Sequence, residues 1–170
     1  ICTTRITTGF GVPQLTAVMN VYQAAKKYNI PVIADGGVKQ SGDLVKALGA
    51  GADTIMMGGQ LAGTKESPGL PITYQGRQYK ISRGMASLTA ALARPDAKEK
   101  MKEITPEGIE ARVPYRGPVE NILGQYIGGL RSGMSYGNAR TIEELKKNTK
   151  FIRITNAGSR ESNSHDNEVL

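Results

Sequence analysis

The apolar residues of the first sixty positions alternate between two periodicities. Over 13–28, Leu15, Val18, Met19, Tyr22 and Ala25 recur every three or four residues, and Pro13 suits a first helical position; the spacing predicts a helix. Ile30, Val32 and Ile33 then form a short β-branched run that ends in Asp35-Gly36-Gly37, the pattern of a buried parallel strand feeding a loop. "SGDLVKALGAGA" returns to the helical period, with Ser41 as N-cap and Gly49 as stop. "DTIMMGG" is a second apolar strand, closing on Gly58-Gly59. The two strands are expected near 31–34 and 54–57. Loop, helix, strand, loop, helix, strand, loop is the order of consecutive βα units in a parallel sheet. Both Gly-Gly pairs then fall at the C-terminal edge of that sheet, where ligands bind in α/β proteins.

Beyond residue 60 the pattern changes. Gln75-Gly76 between Tyr74 and Tyr79 predicts a hairpin. Leu88 to Thr105 is charged, helix-friendly and interrupted by Pro, as a flap would be. "GPVENILGQYIGGLRSGMSYGN" places Ile122, Leu123, Tyr126 and Ile127 on one helical face. "TIEELKKN" opens with a capping box from Thr141 to Glu144. The last dozen residues are polar, an arm expected to order only against something else. Two parallel strands cannot cover both faces of their helices, so the chain is expected to be the second part of a larger domain.

Composition narrows the function. The sequence has 170 residues, 39% of them hydrophobic, and no apolar run long enough to span a membrane. One Cys excludes an internal disulfide framework and Cys-based zinc sites, and fits a reducing, cytoplasmic setting. The one His, His165, lies in the polar tail, which speaks against a His-based triad or metal centre. The formal net charge of +7 favours anionic ligands such as nucleotides. The basic residues are dispersed, and with seven Tyr, two Phe and no Trp there is no dedicated nucleic-acid surface. "GFGVPQ" has Gln14 where a dinucleotide fingerprint needs its third Gly, and "GGQLAGTK" reverses the Lys-Ser/Thr order of a phosphate loop.

The remaining segments carry a resemblance. "ICTTRITTGFGVPQLTAV", "IPVIADGGVKQSGDLVKALGAGA", "LAGTKESPG", "RGMAS", "PEGIEARVPYRGP", "GGLRSGM" and "RITNAGSRES" together resemble the C-terminal part of the inosine-5′-monophosphate dehydrogenase and GMP reductase family. The resemblance is collinear over nearly the whole chain. It implies a (β/α)8 barrel, of which residues 1–170 would be the C-terminal part of a single catalytic domain. Within that part, 88–106 would be a flap and 158–170 a C-terminal arm. It also implies the reaction: a thiolate attacks C2 of the purine of IMP, a hydride leaves C2 for NAD, and water hydrolyses the covalent intermediate to XMP. Cys2 matches the nucleophile, a role suited to a thiolate. Thr4 matches a Thr that hydrogen-bonds near the attacked carbon.

The family likeness assigns the nucleotide contacts as well. Asp35 would grip the ribose hydroxyls. Gly36, Gly37, Gly58 and Gly59 would offer backbone N–H groups to the phosphate. Gly84, Met85 and Ala86 would line the purine, and Glu107 would accept from purine N1. A potassium ion would lie between the carbonyls of Cys2 and those of Glu161, Ser162 and Asn163 of a neighbouring subunit in a homotetramer, with no membrane or nucleic acid among the partners.

Three positions depart from the family pattern. Gly59 stands where a Ser commonly donates to phosphate, and Ser82 where a Tyr does. The flap lacks the adjacent Arg-Tyr pair that activates water in the dehydrogenase; Arg94, followed by Pro95, is the one Arg between Met85 and Glu107. Dehydrogenase is the first reading. GMP reductase, which releases ammonia from GMP and consumes NADPH, is the second. A purine-nucleotide-binding barrel without turnover is the third.

Overall fold

The computed structural model describes residues 2–93 and 105–164. Helix α1 is the short Thr4–Thr8. Helix α2, Gln14–Ala25, follows Pro13 and continues into a 3-10 turn at Lys26–Tyr28. Strand β1, Ile33–Asp35, pairs in parallel with β2, Thr54–Met56, in the register Ile33 to Thr54 and Asp35 to Met56. Helix α3, Ser41–Gly49, forms the crossover between them. The two expected strands and the helix between them are therefore present; β1 starts two residues later and ends one later than expected, and β2 ends one residue earlier. Ser41 is the first helical residue rather than the cap. Gln40 holds the cap position, because the Asp43 carboxylate accepts from the N–H groups of Lys39 and Gln40 at 3.0 and 3.2 Å.

The hairpin comprises β3, Ile72–Tyr74, and β4, Arg77–Arg83. Gln75 and Gly76 both have positive φ, 49° and 74°, the backbone of a tight two-residue turn. A further strand, β5, Glu110–Pro114, joins the other edge of β4 antiparallel. It was not expected from the sequence. Its alternation of exposed and half-buried residues has period two, but it is short and ends on Pro. Helix α4, Leu88–Leu92, is N-capped by the Ser87 hydroxyl and starts the expected flap. Arg94 and most of the rest of that segment lie outside the described residues.

Helix α5, Val119–Tyr136, packs along α3. Helix α6, Ile142–Asn148, has the expected Thr141 cap, whose hydroxyl accepts from Glu144 N at 3.1 Å. The return bond reaches one residue further back than a standard box, from Arg140 N to Glu144 Oε2 at 2.6 Å. Helix α7, Asn156–Glu161, occupies part of the polar tail, with Thr155 as its cap. The core gathers Val18, Ala34, Ala47, Leu48, Ala50, Ala52, Ala139 and Leu145 from α2, β1, α3 and α6 and their connections. Among the described residues, no helix is long and apolar enough to cross a membrane.

One polar cluster locks α6 to the strand pair. The Asp53 carboxylate, just before β2, accepts from Lys146 Nζ at 2.5 Å and from Val32 N at 2.7 Å. Lys146 also reaches Glu143 at 2.9 Å and lies over the Tyr22 ring. The hydrogen bonds from Lys146 and Val32 hold the Asp53 carboxyl below its usual range. Burial alone would lower the Lys146 pKa, but the bonds to Asp53 and Glu143 outweigh it and raise it. The stability contributed by Asp53 is present above its unfolded pKa, about 3.9, and is lost as pH falls through the lower folded value. That of Lys146 is present below about pH 10 and is lost as pH rises through its raised folded value. Denaturant unfolding across pH should show a plateau bounded by these two losses. Asp53→Asn should remove about 1–3 kcal/mol from the plateau and flatten the acid limb. An unchanged acid limb in that variant would assign the acid loss to other groups.

Candidate functional site

The residues expected to hold a nucleotide fall into two groups. The first lies at the C-terminal ends of β1 and β2. Asp35 is the last residue of β1, with an exposed side chain, and its carbonyl accepts from Gln14 Nε2 at 2.9 Å. Gly36 and Gly37 follow with φ of 90° and 78°, a backbone that side chains disfavour. The Gly36 N–H points to the Met56 carbonyl at 3.4 Å and so ties the two loops together instead of facing outward. Among the described residues, no acceptor engages the N–H groups of Gly37, Gly58 or Gly59. Open space surrounds Gly58 and Gly59 where a Cβ would stand, so an anion can approach their backbone closely. A cleft of about 370 Å³ beside this loop brings in Lys39 and Arg116, the latter bonded to Gln60 at 2.7 Å.

The second group surrounds Cys2. The thiol is exposed, and its Sγ lies 3.2 Å from the Thr4 hydroxyl. That hydroxyl donates to Glu107 Oε2 at 2.6 Å, and the Thr3 N–H donates to the Glu107 carbonyl at 2.8 Å. Gly108 bridges Cys2 on one side and Ser87 on the other. The Glu107 N–H donates to Ala86 O at 3.0 Å, and the Gly84 N–H to Ile109 O at 3.1 Å. Segments 2–4, 84–87 and 107–109 thus lie side by side. Met85 projects from the middle of its segment, 82% exposed. Of the expected residues, Cys2, Thr4, Gly84, Ala86 and Glu107 are joined by these contacts.

The electrostatics follow from the geometry. Hydrogen bonds from the Thr4 hydroxyl and then the Thr4 backbone hold the Cys2 thiol below its ordinary pKa, against a partial desolvation and the repulsion of the Glu107 carboxylate. The Thr4 hydroxyl has one proton and two neighbours that want it. It donates to Glu107 and lies within hydrogen-bond distance of the sulfur, so the thiol, the hydroxyl and the carboxylate form one continuous chain. Sequence reading assigned each of the three residues but not the chain that joins them. The Thr4–Glu107 bond spans a separation of 103 residues, and no local pattern reports it.

The expected cation ligands sit apart in sequence. Glu161 ends α7, and Ser162 bonds back to the Gly158 carbonyl through its N–H at 3.0 Å and its hydroxyl at 2.8 Å. The Asn163 amide donates to Ser159 O at 2.7 Å. Among the described residues, no cluster of three or more His, Cys, Asp or Glu gathers as a metal site.

Parallel βα units with open glycine loops, and an exposed thiol, define an α/β protein. Comparison with known proteins makes this specific. Residues 1–165 match the family described as the IMP dehydrogenase / GMP reductase domain, and the chain belongs to that family. It is 56% identical over 173 aligned positions to the inosine-5′-monophosphate dehydrogenase of Aquifex aeolicus, covering 99% of this chain and 35% of that protein. It is 47% identical to the GMP reductase of Leishmania donovani, covering 98% of this chain and 35% of the relative. A crystal structure of GMP reductase from Trypanosoma brucei in complex with guanosine 5′-monophosphate superposes with a TM-score of 0.91 at 48% identity, over 99% of this chain and 35% of that one. The chain thus corresponds to part of the family's barrel and spans about a third of the length of these relatives.

The thiol's environment gives a direct test. Thr4→Val removes the hydroxyl that lowers the Cys2 pKa, so the midpoint of the pH profile for alkylation by iodoacetamide should move up. Glu107→Gln removes a repulsive charge, so the midpoint should move down. Shifts of the same sign in the two variants would contradict the assigned causes.

Proposed function

We propose that the protein is an IMP dehydrogenase, oxidising IMP to XMP with NAD through a covalent Cys2–purine intermediate. The hydrogen-bonded chain Cys2–Thr4–Glu107 beside the 84–86 segment supports covalent chemistry at Cys2, and the 56% identity to an inosine-5′-monophosphate dehydrogenase, against 47% to a GMP reductase, favours the oxidative direction. Gly37, Gly58 and Gly59 hold the 5′-phosphate through their free N–H groups, and Asp35 holds the ribose hydroxyls. Gly36, whose N–H is turned to Met56, serves the phosphate loop by shaping it. Gly84, Met85 and Ala86 line the purine, and Glu107 lies where it can meet its N1 edge.

With the nucleotide in place, the Cys2 thiolate adds to C2 of the purine, and its proton has already passed through Thr4 toward Glu107. NAD, when bound, supplies the acceptor for the hydride that C2 gives up. The Cys2 thioimidate that remains is attacked by water at C2. The Cys2 sulfur leaves as the C–S bond breaks, and XMP is released. Arg94, the one Arg in the stretch between Met85 and Glu107, is proposed to position that water. Potassium fits carbonyl oxygens, and those of Glu161 and Ser162 accept no hydrogen bond from a described residue. With the carbonyl of Cys2, those of Glu161, Ser162 and Asn163 of a neighbouring subunit are proposed to hold it in a homotetramer.

GMP reductase is the second reading, favoured by two observations. The flap lacks an adjacent Arg-Tyr pair, and two of the similar proteins named above are GMP reductases. The Cys2 sulfur would then add to C2 of GMP as ammonia leaves, NADPH when bound would supply a hydride to C2, and the C2–S bond would break to release IMP and the thiolate. A barrel that binds nucleotide without turnover is the third.

Assay of the full-length enzyme separates them. IMP with NAD should raise the absorbance of the reduced nicotinamide, and GMP with NADPH should leave it unchanged. The opposite result establishes the reductase, and neither signal leaves the binding protein. Cys2→Ala should abolish turnover while nucleotide affinity stays within about tenfold. In the dehydrogenase, Arg94→Ala should leave a burst of NADH followed by a slowed steady state; equal loss of both phases would remove Arg94 from the hydrolytic step.

A further inference from the structure

Lys80 stands in the middle of β4 and is 1% exposed. Its amino group makes no ion pair with a described carboxylate. It donates instead to two backbone carbonyls of one loop, Lys65 O at 3.1 Å and Ser67 O. That loop connects β2 to β3, and it starts with Gly58-Gly59. An irregular loop has no ladder to satisfy its inward carbonyls, and a buried amino group is costly unless its donors are used. Lys80 meets both needs at once.

The same loop is fixed on its other side by the segment that enters α5. Arg116 N donates to Gly63 O, Lys65 N to Gly117 O and Val119 N to Glu66 Oε2, each at 2.8 Å. Gly63 lies so close to this segment that a Cβ would stand 2.1 Å from the Pro114 carbonyl oxygen. The loop is therefore held between α5 and β4, and Lys80 supplies side-chain bonds on the β4 side. From Lys80, β4 runs to Arg83 and directly into Gly84-Met85-Ala86, whose Ala86 carbonyl bonds to Glu107 beside Cys2.

We propose that Lys80 is a positioning residue that sets the Gly58–Gly59 loop against the 84–86 segment, and so fixes the spacing between the grip on a nucleotide's phosphate and the grip on its base. The inference rests on the proposed nucleotide site, and Lys80 itself touches no substrate. It acts through the loop carbonyls. Its loss should weaken the phosphate grip and leave the Cys2–Thr4–Glu107 chain as it is.

The test compares a nucleotide with its nucleoside in the full-length enzyme. In Lys80→Met, the affinity for IMP measured by calorimetry should fall about tenfold, whereas that for inosine stays within about twofold; KM for IMP should rise by a similar factor with kcat within about threefold. Lys80→Gln keeps two N–H donors on a shorter, uncharged side chain and should fall between wild type and Lys80→Met, and Lys80→Arg should recover most of the affinity. The alkylation rate of Cys2 without nucleotide should match wild type, which shows that the fold around the thiol is intact. If Lys80→Met does not fold, the Gln and Arg variants carry the comparison. Equal losses for IMP and inosine, or an unchanged affinity for IMP, would overturn the proposal. Should wild type turn over neither IMP with NAD nor GMP with NADPH, the proposed activity fails, and the nucleotide–nucleoside binding comparison still decides the role of Lys80.

Discussion

The arrangement around Cys2 depends on one short stretch of backbone, Glu107–Ile109, lying between two others. Gly108 pairs with Cys2 on one side and Ser87 on the other, and the flanking N–H and carbonyl groups of Glu107 and Ile109 bond to Thr3, Ala86 and Gly84. A Cβ at Gly108 would come within 3.0 Å of the Ser87 nitrogen, so the 107–109 and 84–87 segments lie as close as the backbone permits. The Glu107 side chain inherits its position from this pairing. So does the hydrogen bond that links it to Thr4, and through Thr4 to the thiol. An exposed cysteine would otherwise be a free thiol with an ordinary pKa. Here it is joined through Thr4 to a carboxylate 103 residues away from that hydroxyl in sequence.

The division of labour between the two halves of the site follows from their architecture. The side proposed for the phosphate rests on a parallel strand pair, whose C-terminal ends present glycine N–H groups that no described acceptor engages. This part needs little more than backbone, so small residues suffice there. The reactive side is built on irregular segments and needs side chains, since a nucleophile and a carboxylate-linked hydroxyl have no backbone substitute. The β3–β4–β5 sheet lies between them in sequence and carries the 84–86 segment at its end. The parallel pair and the antiparallel sheet are separate ladders, so their relation depends on connecting loops and on buried contacts such as those of Lys80.

The legibility of the chain in its sequence follows the same division. Helix α2, strands β1 and β2 and helix α3 were readable because each has a local period and a punctuation mark: Pro13, Asp35-Gly36-Gly37, Gly49, Gly58-Gly59. The Thr141 cap was readable because its partner is three residues away. Strand β5 was not, because five residues ending in Pro carry too short an alternation to stand out. The cap of α3 was misplaced by one residue, since Ser41 is a good cap in isolation and the competing acceptor, Asp43, acts from inside the helix. At the site, Cys2, Thr4 and Glu107 were assigned one at a time from the likeness to the family. The bond that unites them spans most of the chain. The turning of the Gly36 N–H toward Met56 is likewise a consequence of strand register, which single residues do not report.

The Cys2–Thr4–Glu107 chain is common to both of the reactions proposed for the protein. Both proposed reactions would hold the same intermediate on Cys2, reached by loss of hydride from IMP in one case and of ammonia from GMP in the other. A thiol of lowered pKa and a carboxylate-linked hydroxyl would serve both. Nothing in the Cys2–Thr4–Glu107 geometry distinguishes the two directions, and the high similarity of the chain to members of both kinds is consistent with that shared part. Discrimination must lie with groups that admit or exclude water at C2 once the intermediate has formed, and with those that seat the nicotinamide. In this sequence the stretch between Met85 and Glu107, with its single Arg and no Tyr, is where the two reactions would diverge.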